Sequence, residues 1–186
     1  MVRLQDTLKV AGYSASSDNI SFVAASGQGL NWLKSTGYQE LLNRVGNGAS
    51  SKAKPIAVIF NLGVNDMGNI DKYVTYMKSI APELEKRGCK LFYMSVNPVN
   101  NEILKSDGVK KRPEETLRSF NAAIKSKLCG KKDAYKYIDS YSFLMKNGFG
   151  TNAGQFGHDA EHDDGLHYTV NTSKRLFWYA INYLKK

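Results

Sequence analysis

Four short apolar runs, rich in β-branched and aromatic residues, set the rhythm of the chain. They are Ile20-Ser21-Phe22-Val23-Ala24, Ile56-Ala57-Val58-Ile59-Phe60, Lys90-Leu91-Phe92-Tyr93-Met94-Ser95-Val96 and the shorter, weaker Tyr135-Lys136-Tyr137-Ile138-Asp139. Runs of this length and composition predict buried strands. Between them the apolar positions recur at helical spacing. Residues Val2 to Ala11 align Leu4, Leu8 and Ala11; Asp71 to Arg87 align Tyr73, Met77, Ile80 and Leu84; Pro113 to Leu128 align Leu117, Phe120, Ile124 and Leu128. A last helix, about Thr172 to Leu184, carries Leu176, Tyr179, Ala180, Tyr183 and Leu184. Pro113 with Glu114 and Glu115 forms a good helix start, and Gly88 stands where a helix would end. Strands and helices alternating in this way predict parallel strands joined by crossover helices, an α/β three-layer sandwich. In such sheets ligands bind beyond the carboxyl ends of the strands. That directs attention to Ala25-Ser26-Gly27-Gln28-Gly29, Asn61-Leu62-Gly63-Val64-Asn65-Asp66, Asn97-Pro98-Val99 and the late segment Gly157 to Thr169.

Length and composition narrow the class without changing that picture. The 186 residues fit one domain, 1–186, and 42% hydrophobic with 23% charged residues is ordinary for a folded globular chain. No run approaches the ~18 apolar residues of a membrane span. The opening MVRLQDTLKVAGYSASSDN has no apolar core of a signal peptide and no small-residue cleavage site, which leaves location open, a secreted or cell-surface full-length protein included. Cys89 and Cys129 are too few for a disulfide framework and read as small core residues, with a bond between them as the lesser alternative. Charge adds one element: 26 Lys and Arg against 17 Asp and Glu give +9. Such a balance favours an anionic partner, or is simply a solvated basic surface.

Three segments carry candidate chemistry. All three histidines, His158, His162 and His167, lie within ten residues that also hold Asp163 and Asp164. A metal reading takes the three histidines with a carboxylate as ligands, against which their spacing fits no familiar zinc pattern, and a polar surface loop is a further reading. A carboxylate three residues before a histidine, Asp164 before His167, has a sharper use, since it can orient the ring and stabilise the imidazolium of a general base. The second segment is Gly63-Val64-Asn65-Asp66, directly after a strand, where an asparagine amide can donate to a developing oxyanion or serve as an ordinary turn residue. The third, Ser26-Gly27-Gln28-Gly29, lacks both G-x-G-x-x-G and G-K-[ST], which argues against nucleotide binding.

Taken together, Ser26-Gly27, Gly63-Val64-Asn65-Asp66 and Asp164-Gly165-Leu166-His167 resemble, in identity and order, the blocks of the SGNH or GDSL-like hydrolase superfamily, serine esterases and lipases on a flavodoxin-like sandwich. The resemblance implies the catalytic set His167, Asp164, Asn65 and Gly27. The histidine would be the base, the aspartate its orienter, and the asparagine side chain with the glycine amide the oxyanion hole. It implies no metal and no organic cofactor. The departure is at the front: the family's nucleophile stands in a Gly-Asp-Ser block, and no Gly-Asp-Ser occurs in this sequence. Met1 to Asp6 already reads as the first helix, so the chain is expected to begin just after that block and to lack the first strand of the sheet. Ser26 is the nearest hydroxyl in sequence, but a nucleophile needs the base within hydrogen-bond reach.

The expected function is cleavage of an O-acyl or O-acetyl ester, on a small molecule or a carbohydrate, impaired in this chain by the absent serine. A non-catalytic carbohydrate or cell-wall binding protein on the same scaffold is the alternative. Most aromatics, Phe120, Phe177 and Tyr179 among them, sit at core-periodic positions, while Trp32 belongs either to the core or to a cleft. The clusters Lys110-Lys111-Arg112 and Lys131-Lys132 are short and adjoin helix ends, so nucleic acid is not an expected partner. An anionic polymer and a second copy of the chain, docked at an exposed sheet edge, remain as expected partners.

Overall fold

The structure is a computed structural model that describes residues 7–14, 19–47, 55–101, 112–147, 166 and 168–186. Its sheet has three parallel strands in the order β1 (Ile56–Phe60), β2 (Cys89–Met94) and β3 (Tyr135–Ile138). Val58 pairs with Leu91, and Leu91 with Tyr135, so the side chains of Val58, Phe60, Leu91, Tyr93 and Tyr135 share one face. Helices occupy the crossovers: α3 (Ile70–Lys86) follows β1, and α4 (Glu114–Leu128) follows β2. Ahead of them come α1 (Leu30–Trp32), a π-helical turn Leu33–Gly37 and α2 (Tyr38–Val45). Later come α5 (Ser140–Lys146) and α6 (Val170–Leu184). The chain divides into two compact units, Val23–Val96 with Arg118–Ile138, and Met1–Phe22 with Asn97–Leu117 and Asp139–Lys186.

The first unit contains the sheet. Tyr73, Met77, Ile80 and Leu84 of α3 and Phe120, Ile124 and Leu128 of α4 are all buried, as their spacing predicts. Tyr73 meets Tyr93 edge-on with ring centroids 6.1 Å apart and Phe120 at 5.5 Å, and the Tyr135 hydroxyl donates to the Met77 carbonyl at 2.7 Å. Each such side chain contributes about 1.5–3 kcal/mol by burial. On the opposite face of the sheet Phe92 and Ile138 are buried too, while Ala57, Lys90 and Lys136 there are exposed; apolar side chains on both faces of a parallel sheet fit the α/β sandwich expected from the alternation. Helix α3 ends at Gly88, whose φ of 79° is easy only for glycine. Arg87 reaches from there to the Gly46 and Leu42 carbonyls at the end of α2, a cation at the carboxyl end of a helix.

In the second unit, residues 7–10 are helical and a turn follows at Ala11-Gly12, while Leu4 lies outside the described residues. Leu144 of α5 and Leu176 of α6 form a small core with Phe143 and Tyr168 packed against it. Phe143 stacks on Tyr179 at 4.3 Å, and Tyr13 meets Phe177 edge-on at 5.0 Å. Asp139 caps α5 through Ser142 N–H at 3.0 Å, and Thr169 caps α6 through Thr172 N–H at 3.2 Å.

Two local expectations are corrected. Residues 20–24 form no strand: Ile20, Phe22 and Val23 are half-buried in irregular backbone, and none of the three strands pairs with them. A single apolar run without a neighbour to take its backbone hydrogen bonds gains nothing from extension. The helical stretch over 30–45 was not expected, although Leu30, Leu33, Gly37 and Val45, all buried, recur at helical spacing. Trp32 is half-buried with its ring against Gly37, where a Cβ would stand 2.8 Å from it. Cys89 and Cys129 are both free thiols, the first buried and the second half-buried.

Candidate functional site

Beyond β1 the chain turns sharply, and residues beneath the turn dictate its path. The Tyr93 hydroxyl donates to the Leu62 carbonyl at 2.6 Å, and the Tyr73 and Tyr93 hydroxyls lie 3.1 Å apart. With its single proton on Leu62, Tyr93 accepts from Tyr73. Burial pushes both phenols well above the ordinary tyrosine range, which keeps them neutral and able to donate. Gly63 has φ 114°, and a Cβ there would stand 2.6 Å from the Phe120 ring. Only glycine passes that point. Asp66 N–H then closes the turn on the Gly63 carbonyl at 2.8 Å.

The turn projects Asn65 and Asp66 toward the glycine block of the same unit. Asn65 is exposed, and its Nδ2 donates to the Gln28 carbonyl at 3.0 Å. Asp66 Oδ1 accepts from Leu30 N–H at 3.0 Å. Gly27 is exposed with φ 68° and has open space where a Cβ would point. Two of the motif segments, 36 residues apart in sequence at the Leu30–Asp66 bond, thus meet at the carboxyl end of β1. Ser26 is exposed in the turn beside Gly27.

Asparagines fasten the neighbouring strand ends. Asn61 Nδ2 donates to Ser95 O at 3.0 Å, and Ser95 N–H continues the ladder to Ile138 O at 3.0 Å. Asn121, buried on α4, accepts from Val96 N–H and donates to Val96 O, each at 2.8 Å. In the second unit the Ser140 hydroxyl and Asn97 Oδ1 are 2.6 Å apart, and the Tyr168 hydroxyl bonds to the Pro98 carbonyl. The segment Asn97-Pro98-Val99 was expected from position alone; Asn121 and Tyr168 were not. Asn121 had a signal, a polar residue one helical turn after Leu117 on the core stripe.

Asp164, His167, His158 and His162 lie outside the described residues, as do Lys110 and Lys111. Among the described residues no group of three or more His, Cys, Asp or Glu could hold a metal ion, and no helix is long and apolar enough to cross a membrane. A shallow cavity of about 330 Å³ opens at the amino end of β3, lined by Lys78, Glu85, Lys132, Asp133 and Tyr135 among others, and does not include the Asn65 turn.

A search of curated proteins finds no match. The family model described as GDSL-like Lipase/Acylhydrolase matches residues 2–178, a span that contains the glycine block, the Gly63–Asp66 turn and the Asp164–His167 segment. A match over nearly the whole length, on a parallel sheet whose first described strand exits into Gly-Val-Asn-Asp, shows that the chain belongs to the GDSL-like lipase/acylhydrolase family of esterase- and lipase-type hydrolases.

Proposed function

We propose that the Asn65 turn and the glycine block form the oxyanion hole of a serine ester hydrolase, with His167 as general base and Asp164 as its orienter. The observation that carries this reading is the bond from Asn65 Nδ2 to Gln28 O, 3.0 Å, which holds an exposed primary amide one residue from the Gly27 backbone N–H. A tetrahedral acyl intermediate needs two such donors, a backbone N–H and a side-chain amide. With a serine supplied by a Gly-Asp-Ser block, its hydroxyl would attack the ester carbonyl while His167 takes the proton and passes it to the departing alcohol, and water would then release the acid from the acyl-enzyme by the same route. The substrate is an O-acyl or O-acetyl ester, and the net charge of +9 favours one carried on an anionic carbohydrate polymer.

These 186 residues contain no Gly-Asp-Ser, so weak turnover is the expected behaviour of the residues present. Hydrolysis of an aryl acetate is therefore to be measured for this chain and for one joined at its amino end to a strand ending in Gly-Asp-Ser. The extended protein is expected to gain activity, and Asn65→Ala in it to lose about 100- to 1,000-fold in kcat, as removal of an oxyanion donor does elsewhere. No gain on extension, or full activity in His167→Ala, would refute the assignment. Retention of an acetylated polymer without cleavage by either form would favour the binding protein.

A further inference from the structure

We propose that Asp66 is a positioning residue: its carboxylate locks the glycine block onto the Asn65 turn and thereby sets the spacing between the Gly27 amide and the Asn65 side chain. The catalytic consequence rests on the oxyanion-hole reading above; the lock itself does not.

Asp66 is more than a turn former. Its Oδ1 accepts from Leu30 N–H at 3.0 Å, at the start of the helical stretch over 30–45, where backbone donors lack partners and a negative charge is favoured. Its Oδ2 is buried and has no hydrogen-bond partner among the described residues. A carboxylate oxygen in that state is costly to keep. Both oxygens stand 2.7 Å from the position a Cβ would take on Gly29. The carboxylate therefore sits directly against the Gly29 backbone, an approach only glycine permits. Asn65 binds the preceding carbonyl, Gln28 O, of the same peptide run. Consecutive residues of one turn, Asn65 and Asp66, thus hold Gln28 and Leu30 of the other, and Gly27 lies one position before Gln28.

Amide hydrogen exchange and resonance positions of the labelled protein test the lock without requiring activity. Asp66→Ala is expected to accelerate exchange at Leu30 about tenfold to a hundredfold, the loss of a hydrogen bond to a charged group. It should also move the Gly27 amide and Asn65 side-chain resonances while leaving Leu91 in β2 protected. Asp66→Asn keeps an acceptor oxygen and is expected to restore most of the protection. Unchanged Leu30, Gly27 and Asn65 signals in Asp66→Ala would overturn the proposal, as would equal acceleration at Leu91, which marks a global loss of stability. In any form that turns over an aryl acetate, Asp66→Ala should lower kcat at nearly constant KM with rescue by Asp66→Asn; a loss confined to KM overturns the catalytic consequence. If no form cleaves the ester yet Asp66→Ala still loosens Leu30 and Gly27, the hydrolase reading fails and the lock stands.

Discussion

Asn121 occupies a place on α4 where the stripe of Leu117, Phe120, Ile124 and Leu128 would accept another apolar side chain, and it is buried to 6% exposure. Its amide instead copies a strand partner, offering an acceptor to Val96 N–H and a donor to Val96 O just past the end of β2. Both backbone groups would otherwise be buried without partners. Asn121→Ala is expected to cost about 2–6 kcal/mol, since each of the two orphaned groups accounts for about 1–3. Urea unfolding should show this as a lower midpoint with unchanged slope. Asn121→Asp, which sets a buried carboxylate oxygen against Val96 O, is expected to cost at least as much. Asp66 and Asn65 follow the same logic at the end of β1: short polar side chains at strand exits replace ladder bonds that the sheet no longer supplies. Their residue types are plain in the sequence, but Gln28 O and Leu30 N–H as their partners are not, because a pairing across 36 or 37 positions leaves no periodic trace.

Elements were legible where periodicity and end signals agreed. Helix α3, expected over Asp71 to Arg87, runs Ile70–Lys86, and α4, expected from Pro113, runs Glu114–Leu128. The run at 20–24 has the composition of a strand without the paired neighbours that make one, and the stretch over 30–45 hides its helical period behind a glycine-rich start and a π-helical turn. For α6 the deciding residue is Thr169, whose hydroxyl accepts from Thr172 N–H at 3.2 Å. Thr169→Ala is expected to cost about 1 kcal/mol and Thr169→Ser to cost little. Thermal melting followed by the helical circular dichroism signal would show it, and an unshifted melt in Thr169→Ala would mean that packing of Leu176 alone holds the helix.

At the scale of the whole molecule, the buried phenols make stability depend on alkaline pH. Burial raises Tyr73, Tyr93, Tyr135 and Tyr168 above their ordinary value, and burial with the nearby Asp133 carboxylate pushes the Cys129 thiol up to about 12. These are acids whose folded form holds its proton longer than the unfolded chain does. Their contribution is therefore complete below the unfolded values, near 9 for the thiol and 10 for the phenols, and is lost as pH rises toward the folded ones. The urea midpoint should be flat from about pH 7 to 8.5 and fall steadily above about pH 9. A midpoint that holds through about pH 11 would contradict the burial of these groups. The same protonation matters locally, because a Tyr93 anion could no longer donate to Leu62 O beneath the Asn65 turn.

The sequence by itself determined the alternation of apolar runs and amphipathic stretches, hence the α/β class, and the three motif segments whose order marks the family, because composition, period and short spacing are local properties of a chain. Only the tertiary structure decided which of the apolar runs became strands, that the glycine block and the Gly63–Asp66 turn meet, and that Asp66 rather than a neighbouring side chain grips Leu30. Those outcomes depend on which backbone groups find partners once the sheet has formed, and hydrogen-bond partners across distant segments are chosen by packing and not by proximity along the chain.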